Sequence, residues 1–192
     1  VTLVFLLNFG FSILELVGGL ITGSKAILSD AVHDFGDSIA LALSFVFEKV
    51  GKRGANEKYT YGYKRISLIG ALINIIVLSV CTIFVFSEAL QSLVNSMPVK
   101  AEGMLLLSFI GIAINGASVF RMKGSKKILD KTVIMHLMED LLGWIAVLVV
   151  SIVIYFTNWY ILDPILSLGI CIIIGRNIYF NLKTAMLIIM QR

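Results

Sequence analysis

Long apolar segments occupy most of this chain and leave little room for anything except membrane-spanning helices. A helix needs roughly 20 apolar residues to cross the hydrocarbon core of a bilayer, and six segments satisfy this length. They run approximately over Val1–Thr22, Ala26–Glu48, Lys64–Leu93, Gly103–Met122, Lys131–Phe156 and Ile161–Ile189. Only 15% of the residues are charged, whereas soluble proteins average about 25%. We therefore predict an all-α, polytopic membrane protein folded as a six-helix bundle.

Basic residues are distributed unevenly between the connections, and this distribution predicts how the bundle is oriented. Two alternate connections carry most of them: Lys49, Lys52, Arg53, Lys58, Lys64, Arg65, Arg121, Lys123, Lys126, Lys127 and Lys131. The opposite connections hold only Lys25 and Lys100. Positive charge stays on the cytoplasmic side of a membrane, so both termini are expected in the cytoplasm. The net charge of +4 is then explained by the orientation of the protein in the membrane and does not indicate nucleic-acid binding. The basic connections are also expected to bind anionic lipid headgroups as a secondary effect.

Each of the two histidines in the chain precedes an aspartate by four residues inside an apolar segment. The pairs are His33 with Asp37 in the second segment and His136 with Asp140 in the fifth. Residues four apart share one face of a helix, so each helix presents an imidazole and a carboxylate to the same neighbour. The two segments are antiparallel in the predicted topology. Together they offer two nitrogens and two oxygens, a set that suits tetrahedral Zn²⁺.

The alternative for each pair is a buried histidine hydrogen-bonded to a carboxylate one turn away. A carboxylate near the bilayer centre costs at least about 2.5–3.5 kcal/mol on insertion scales. Two such pairs, which use every histidine of the chain, therefore favour a metal site. The predicted boundaries place His33 and Asp37 nearer mid-depth than His136 and Asp140. Either helix tilt or a fifth helix that projects into the cytoplasm would bring the pairs together.

Other polar residues in the apolar segments carry weaker predictions. Asp30 lies seven residues before Asp37 and shares its face. Asp34 and Glu139 adjoin ligand positions but point elsewhere on their helices. There they either line a pore or support the ligands, or else pack or lie at the lipid interface. Glu15 in the first segment is expected to join helices, as intramembrane polar residues commonly do.

Small and helix-starting residues give three further expectations. Gly36 and Gly143 lie beside the predicted ligands and would permit the second and fifth helices to approach closely. Asp163 and Pro164 stand at the start of the sixth segment, where Asp163 is placed to cap that helix. Trp144 is expected to be either an ordinary core residue or part of the aromatic belt at the membrane interface.

Four stretches of the sequence carry a resemblance to a known family. Residues 23–37 read GSKAILSDAVHDFGD, residues 59–65 read YTYGYKR and residues 136–144 read HLMEDLLGW. The fourth stretch is the Asp-Pro pair at residues 163–164. Their combination resembles the cation diffusion facilitator family, in its zinc-transporting branch, and extends over nearly the whole chain.

The resemblance implies a proton-coupled antiporter of divalent cations with six transmembrane helices. It implies metal-ligand roles for His33, Asp37, His136 and Asp140, Zn²⁺ as the transported substrate and H⁺ as the counter-ion. It also implies a homodimer that alternates between inward- and outward-open states, in the plasma membrane or an internal vesicle membrane. Many members add a cytoplasmic C-terminal domain. Because residues 1–192 end directly after the sixth segment, we expect the transmembrane domain alone.

Three alternatives remain open from the sequence. The first is the same type of transporter with Mn²⁺, Fe²⁺, Co²⁺ or Cd²⁺ as its main substrate, since affinity orders are a poor guide to the physiological ion. The second is an intramembrane zinc hydrolase, which is disfavoured because neither histidine belongs to an HExxH motif. The third is a metal-sensing or scaffold protein that does not transport.

Overall fold

Helices make up almost all of the chain that can be described. The computed structural model describes the backbone of residues 2–51, 66–95, 97–122 and 128–190. Within these ranges it also describes the side chains, except those of residues 2–8, 40–41, 44–45, 47–51, 66–68, 71, 121–122, 128–136 and 189. This part of the chain forms six helices: α1 (Thr2–Thr22), α2 (Lys25–Gly51), α3 (Ile66–Val94), α4 (Ala101–Met122), α5 (Ile128–Thr157) and α6 (Leu162–Ile189). Each observed boundary lies within three residues of the predicted one, which confirms the predicted all-α fold.

The surface of the bundle is apolar and its interior contains many polar groups. Four described stretches are long and apolar enough to cross a membrane: Leu72–Val94, Ala101–Phe120, Leu137–Thr157 and Leu162–Ile188. The described apolar stretch of α1, Phe9–Thr22, is shorter. Large hydrophobic side chains such as Leu20, Ile83 and Phe120 are exposed, whereas serine, asparagine and acidic side chains are buried. This arrangement suits a bundle surrounded by lipid, in which small and polar residues join the helices.

α2 is the most enclosed helix of the bundle. It packs against α1, α3 and α6 and meets α5 over a short stretch, whereas α4 packs mainly on α5. The core between α4 and α5 is centred on Trp144, which is fully buried, so of the two expected positions the residue occupies the core. Its indole lies over Gly111 of α4, where an added Cβ would be 2.3 Å from Trp144 Cδ2. Only glycine permits this contact.

The basic connections that predict the orientation lie largely outside the described residues, so the cytoplasmic placement of both termini stays a prediction.

Asp163 caps a different helix from the one predicted. α6 begins after Ile161, and no side chain caps its N-terminus. Asp163 lies in the first turn of α6, and its carboxylate accepts hydrogen bonds from Ser24 Oγ (2.5 Å) and from the backbone N–H of Lys25 (2.6 Å). The prediction that Asp163 caps α6 is therefore wrong. The first N–H groups of α2 lack helical partners, and the Asp163 carboxylate binds them from the neighbouring helix.

Two glycines beside the predicted ligands face different neighbours. A Cβ added at Gly36 would lie 2.7 Å from Leu78 Cδ1, so this glycine permits α2 to approach α3. The expectation that Gly36 serves the approach of α2 to α5 is wrong, because α3 occupies that side of α2. A Cβ at Gly143 of α5 would lie 3.6 Å from Asp30 Oδ1 of α2. Gly143 is thus at the contact between α2 and α5, as expected.

Candidate metal centre

His33 and Asp37 occupy successive turns of α2, and their side chains approach each other. The distance from His33 Nε2 to Asp37 Oδ2 is 3.9 Å. This is longer than a hydrogen bond, but it places the imidazole and the carboxylate on one face of the helix, as the four-residue spacing predicts. Both side chains are partly exposed, at 17% and 29%. Neither group is fully enclosed by the other helices.

The second predicted pair lies on α5. Asp140 is 4% exposed and belongs to the interior of the bundle. His136 lies one helical turn before Asp140, within the same continuous helix. The side chain of His136 is outside the described residues, so the structure gives no position for its imidazole.

The directions of α2 and α5 follow from contacts between the other helices. A Cβ at Gly103 of α4 would meet Thr22 of α1 at 2.7 Å, and a Cβ at Gly18 would meet Leu107 at 2.5 Å. Residue numbers fall along α1 as they rise along α4, so these two helices are antiparallel. The consecutive pairs α1–α2 and α4–α5 pack on each other across short connections. α5 therefore runs parallel to α1 and antiparallel to α2.

The contact between Asp30 and Gly143 sets the register between α2 and α5. His33 lies three residues beyond Asp30, and Asp140 lies three residues before Gly143, so both are displaced by about 4.5 Å in the same direction. Asp37 and His136 are each seven residues from the same contact, or about 10.5 Å. Because the helices are antiparallel, the two predicted pairs occupy corresponding levels. Counting from the predicted helix ends had placed them at different depths.

A complete ligand set is not assembled by the side chains that the structure describes. Within them, no three histidine, cysteine, aspartate or glutamate side chains are placed to hold one metal ion. The structure places His33 beside Asp37 and Asp140 in the interior, while the fourth predicted ligand lies outside the described side chains. The His₂Asp₂ site therefore stays a prediction.

Buried carboxylates form a second feature of this region. Glu15 of α1 is fully buried, and its carboxyl group lies near those of Asp34, Asp30 and Asp140. Asp34 and Asp30 are 1% and 6% exposed. Among the described side chains, none of the buried charged residues is a lysine or an arginine. The interior where α1, α2 and α5 meet is therefore acidic, which favours cations over anions.

The sequence predicts that Glu15 joins helices and leaves open whether Asp34 lines a pore, supports the ligands or only packs. In the structure both side chains are buried in the same acidic interior. The available signal was the cost of an ionisable group in an apolar segment, which applies to both residues. Glu139 was placed in the same class as Asp34, but its side chain is exposed.

Comparison with known proteins identifies the family. Residues 1–190 match the family model described as the cation efflux transmembrane domain. The chain belongs to the cation efflux family. The resemblance to zinc-transporting cation diffusion facilitators is thereby confirmed, and the chain is an integral, multi-pass membrane protein.

Several curated relatives are similar over nearly the whole chain. The zinc transporter ZitB of Pectobacterium atrosepticum is 34% identical over 182 residues, which cover 93% of this chain and 57% of that protein. The cadmium, cobalt and zinc/H(+)-K(+) antiporter of Bacillus subtilis is 31% identical over 191 residues, covering 97% and 61%. The metal cation efflux system protein CzcD of Cupriavidus metallidurans is 30% identical over 183 residues, covering 94% and 58%. The chain thus spans less than two thirds of the length of these relatives.

Proposed function

We propose that this cation efflux domain carries Zn²⁺ across the membrane through a four-ligand site between α2 and α5. The ligands would be His33 and Asp37 from α2 with His136 and Asp140 from α5. The observation that supports this most directly is the Asp30–Gly143 contact, because the register that it sets brings the two pairs to corresponding levels. Two nitrogens and two oxygens suit tetrahedral zinc, and the relatives include a protein named as a zinc transporter.

Proton exchange is the proposed driving reaction. A metal ligand must be deprotonated to bind, so metal and protons compete for the same atoms. Histidine is the side chain that ordinarily changes charge between about pH 5 and 8. When the site opens to the more acidic side, protonation of the imidazoles would expel the metal, and the empty carrier would return with protons. The name of the Bacillus subtilis relative, which includes H(+), agrees with this coupling.

Alternating access would arise at the contact between α2 and α5. These helices meet only over a short stretch, while α4 packs mainly on α5 and α2 packs on α1, α3 and α6. A small rotation between the two groups would open the site toward one side of the membrane at a time.

We also propose that the protein acts as the homodimer that its family resemblance implies. Size-exclusion chromatography with light scattering would test this.

The principal alternative within this function is a different main substrate. The Bacillus subtilis relative is named for cadmium and cobalt as well as zinc. Imidazole and carboxylate ligands accept several divalent ions, and affinity alone does not identify the physiological one. Competition of Cd²⁺, Co²⁺ and Mn²⁺ with Zn²⁺ in one flux assay would rank them.

The test is zinc flux into proteoliposomes under an imposed pH gradient. Asp140→Asn should reduce the flux at least about a hundredfold, because loss of groups that merely support a ligand already costs 10- to 100-fold. The matched control is Glu139→Gln on the neighbouring residue, whose side chain is exposed and whose neutralisation should leave the flux nearly unchanged. Undiminished flux in folded Asp140→Asn would refute the site. Zinc binding by the wild type without any flux would refute transport.

A further inference from the structure

The start of α2 is held by a carboxylate from α6. Asp163 is fully buried. Its Oδ1 accepts hydrogen bonds from Ser24 Oγ (2.5 Å) and, at 3.4 Å, from the backbone N–H of Ala26, and its Oδ2 accepts one from the N–H of Lys25 (2.6 Å). Charge-assisted hydrogen bonds of this kind are stronger than those between neutral groups. One side chain of α6 thus fixes two backbone groups and one side chain of α2.

The same end of α2 has a cap of its own. Ser24 Oγ accepts the N–H of Ile27 at 3.2 Å, the usual bond of a serine N-cap. The carbonyl of Ser24 accepts the N–H of Leu28 at 3.2 Å. The N–H groups of residues 25–28 therefore all have partners. The Ser24 hydroxyl links the two caps, because it accepts from α2 and donates to Asp163.

Further contacts between α2 and α6 extend along one face of α6. Asp163, Ser167 and Cys171 are spaced by four residues and so lie on one face. Ser29 of α2 shares a hydrogen bond with Ser167 (Oγ to Oγ, 2.6 Å) and lies 3.4 Å from Cys171 Sγ. These contacts fix both the depth and the rotation of α2 relative to α6.

We propose that Asp163 is a positioning residue for transport, which sets α2 so that His33 and Asp37 face α5. The proposal rests on the proposed function. His33 lies eight residues beyond Lys25, about 12 Å along a continuous helix. A shift or rotation at the capped end is carried directly to His33 and Asp37, while α5 has no bond to Asp163 among the described contacts.

The test compares Asp163→Asn with a control at the same end of the bundle. Asparagine keeps the shape of Asp163. With its oxygen toward Ser24, its NH₂ group faces the N–H of Lys25; with the amide reversed, its NH₂ group donates to Ser24 Oγ and faces the N–H of Ala26. In either orientation one backbone N–H of α2 loses its acceptor. We expect the KM for Zn²⁺ of folded, reconstituted protein to rise by up to about fivefold to tenfold, the limit reached when the whole contribution of a helix cap is lost from the metal-bound arrangement. The visible absorption of bound Co²⁺ should also change, because the geometry of the ligands changes.

The control is Glu88→Gln. Glu88 forms an ion pair with Lys25 Nζ (2.5 Å) in which both side chains are partly exposed. Such pairs contribute little, and this one does not touch the backbone of α2. Its loss should leave the KM and the Co²⁺ spectrum unchanged.

Ser24→Ala provides a second variant if Asp163→Asn does not fold. It removes both the bond from the hydroxyl to Oδ1 and the bond from the N–H of Ile27 to Ser24 Oγ, and it keeps the bond from the N–H of Lys25. The KM and the Co²⁺ spectrum are expected to change in the same direction as in Asp163→Asn. A purely structural role would lower the yield and the melting temperature but leave the KM and Co²⁺ spectrum of the folded fraction as in the wild type. That result overturns the positioning role alone. Wild-type protein that carries no zinc, or Asp140→Asn that carries it normally, overturns the proposed function as well.

Discussion

Replacing Gly111 by alanine tests whether the contact between α4 and α5 holds Asp140 in place. The added Cβ would lie 2.3, 2.5 and 2.7 Å from three atoms of the Trp144 indole, whereas ordinary contacts begin near 3.4 Å. The ring is fully buried, and Phe11 lies beside it at 5.8 Å between ring centroids. The indole therefore has little room to turn away. α4 and α5 must separate locally by about 1 Å to admit the methyl group.

The expected cost follows from two opposing terms. Inserting a methyl group into a packed core typically costs about 1–3 kcal/mol, and the fully buried, rigid indole places Gly111→Ala at the upper end. Alanine recovers about 1 kcal/mol in a helix relative to glycine. The net destabilisation is then about 2 kcal/mol, which corresponds to a fall in melting temperature of about 4–8 °C for a domain of this size. Zinc flux should fall too, because Trp144 is one turn from Asp140.

The assay is thermal unfolding of purified protein in one detergent, paired with zinc flux in proteoliposomes. Gly116→Ala is the matched control, since nothing lies within 4 Å of an added Cβ there, and it should be neutral or stabilising by up to about 1 kcal/mol. Trp144→Phe should restore part of the stability in the Gly111→Ala background, as coupled neighbours do. If Gly111→Ala melts and transports like Gly116→Ala, the close contact and the reasoning built on it are incorrect.

Three further predictions concern the metal. Zn²⁺ at 100 times its Kd should stabilise the wild type against unfolding by about 2.7 kcal/mol. Asp37→Ala should abolish this stabilisation. Equal zinc-induced shifts in melting temperature for both proteins would contradict the assignment of Asp37 as a ligand. Zinc affinity, measured by calorimetry, should fall as the pH is lowered from 7 to 5, by up to about tenfold per pH unit for each imidazole that must lose a proton. A flat profile over this range would exclude histidine ligands. His33→Asp should weaken the preference for zinc over oxygen-preferring ions, and unchanged competition by Mn²⁺ and Cd²⁺ in the flux assay would argue against a ligand at His33.

The helices could be predicted from sequence because a membrane permits few other structures. A segment in lipid must satisfy its own backbone hydrogen bonds, so apolar length translates directly into helices, and the boundaries agree within three residues. The partners of individual polar groups could not be predicted in this way. From its position in the sequence, Asp163 could cap its own helix, α6. Only the packing of α6 against α2 brings its carboxylate within hydrogen-bond distance of Ser24 and Lys25.

In the candidate site, too, the geometry within one helix could be predicted from the sequence, whereas the geometry between helices could not. The approach of His33 to Asp37 is local to one helix, so the spacing predicts it and the distance of 3.9 Å agrees. The register between α2 and α5 is long-range. Counting from helix ends assumes that both helices are untilted and end at the same membrane plane. The proximity of Asp30 Oδ1 to the Cβ position of Gly143 replaces that assumption with a contact between the two helices.

The contrast between Asp34 and Glu139 shows why neighbours of ligands cannot be assigned from helical geometry alone. Each adjoins a predicted ligand, and successive helical residues are rotated by about 100°, so both point away from the shared face. α2 is enclosed by α1, α3, α6 and α5. A side chain of α2 that points away from one of these helices therefore meets another, and Asp34 is only 1% exposed. α5 packs mainly on α4, with smaller contacts to α6 and α2, and the same rotation leaves Glu139 exposed. The number of packed neighbours around each helix, rather than the spacing, therefore decides that Asp34 joins Glu15 in the acidic interior.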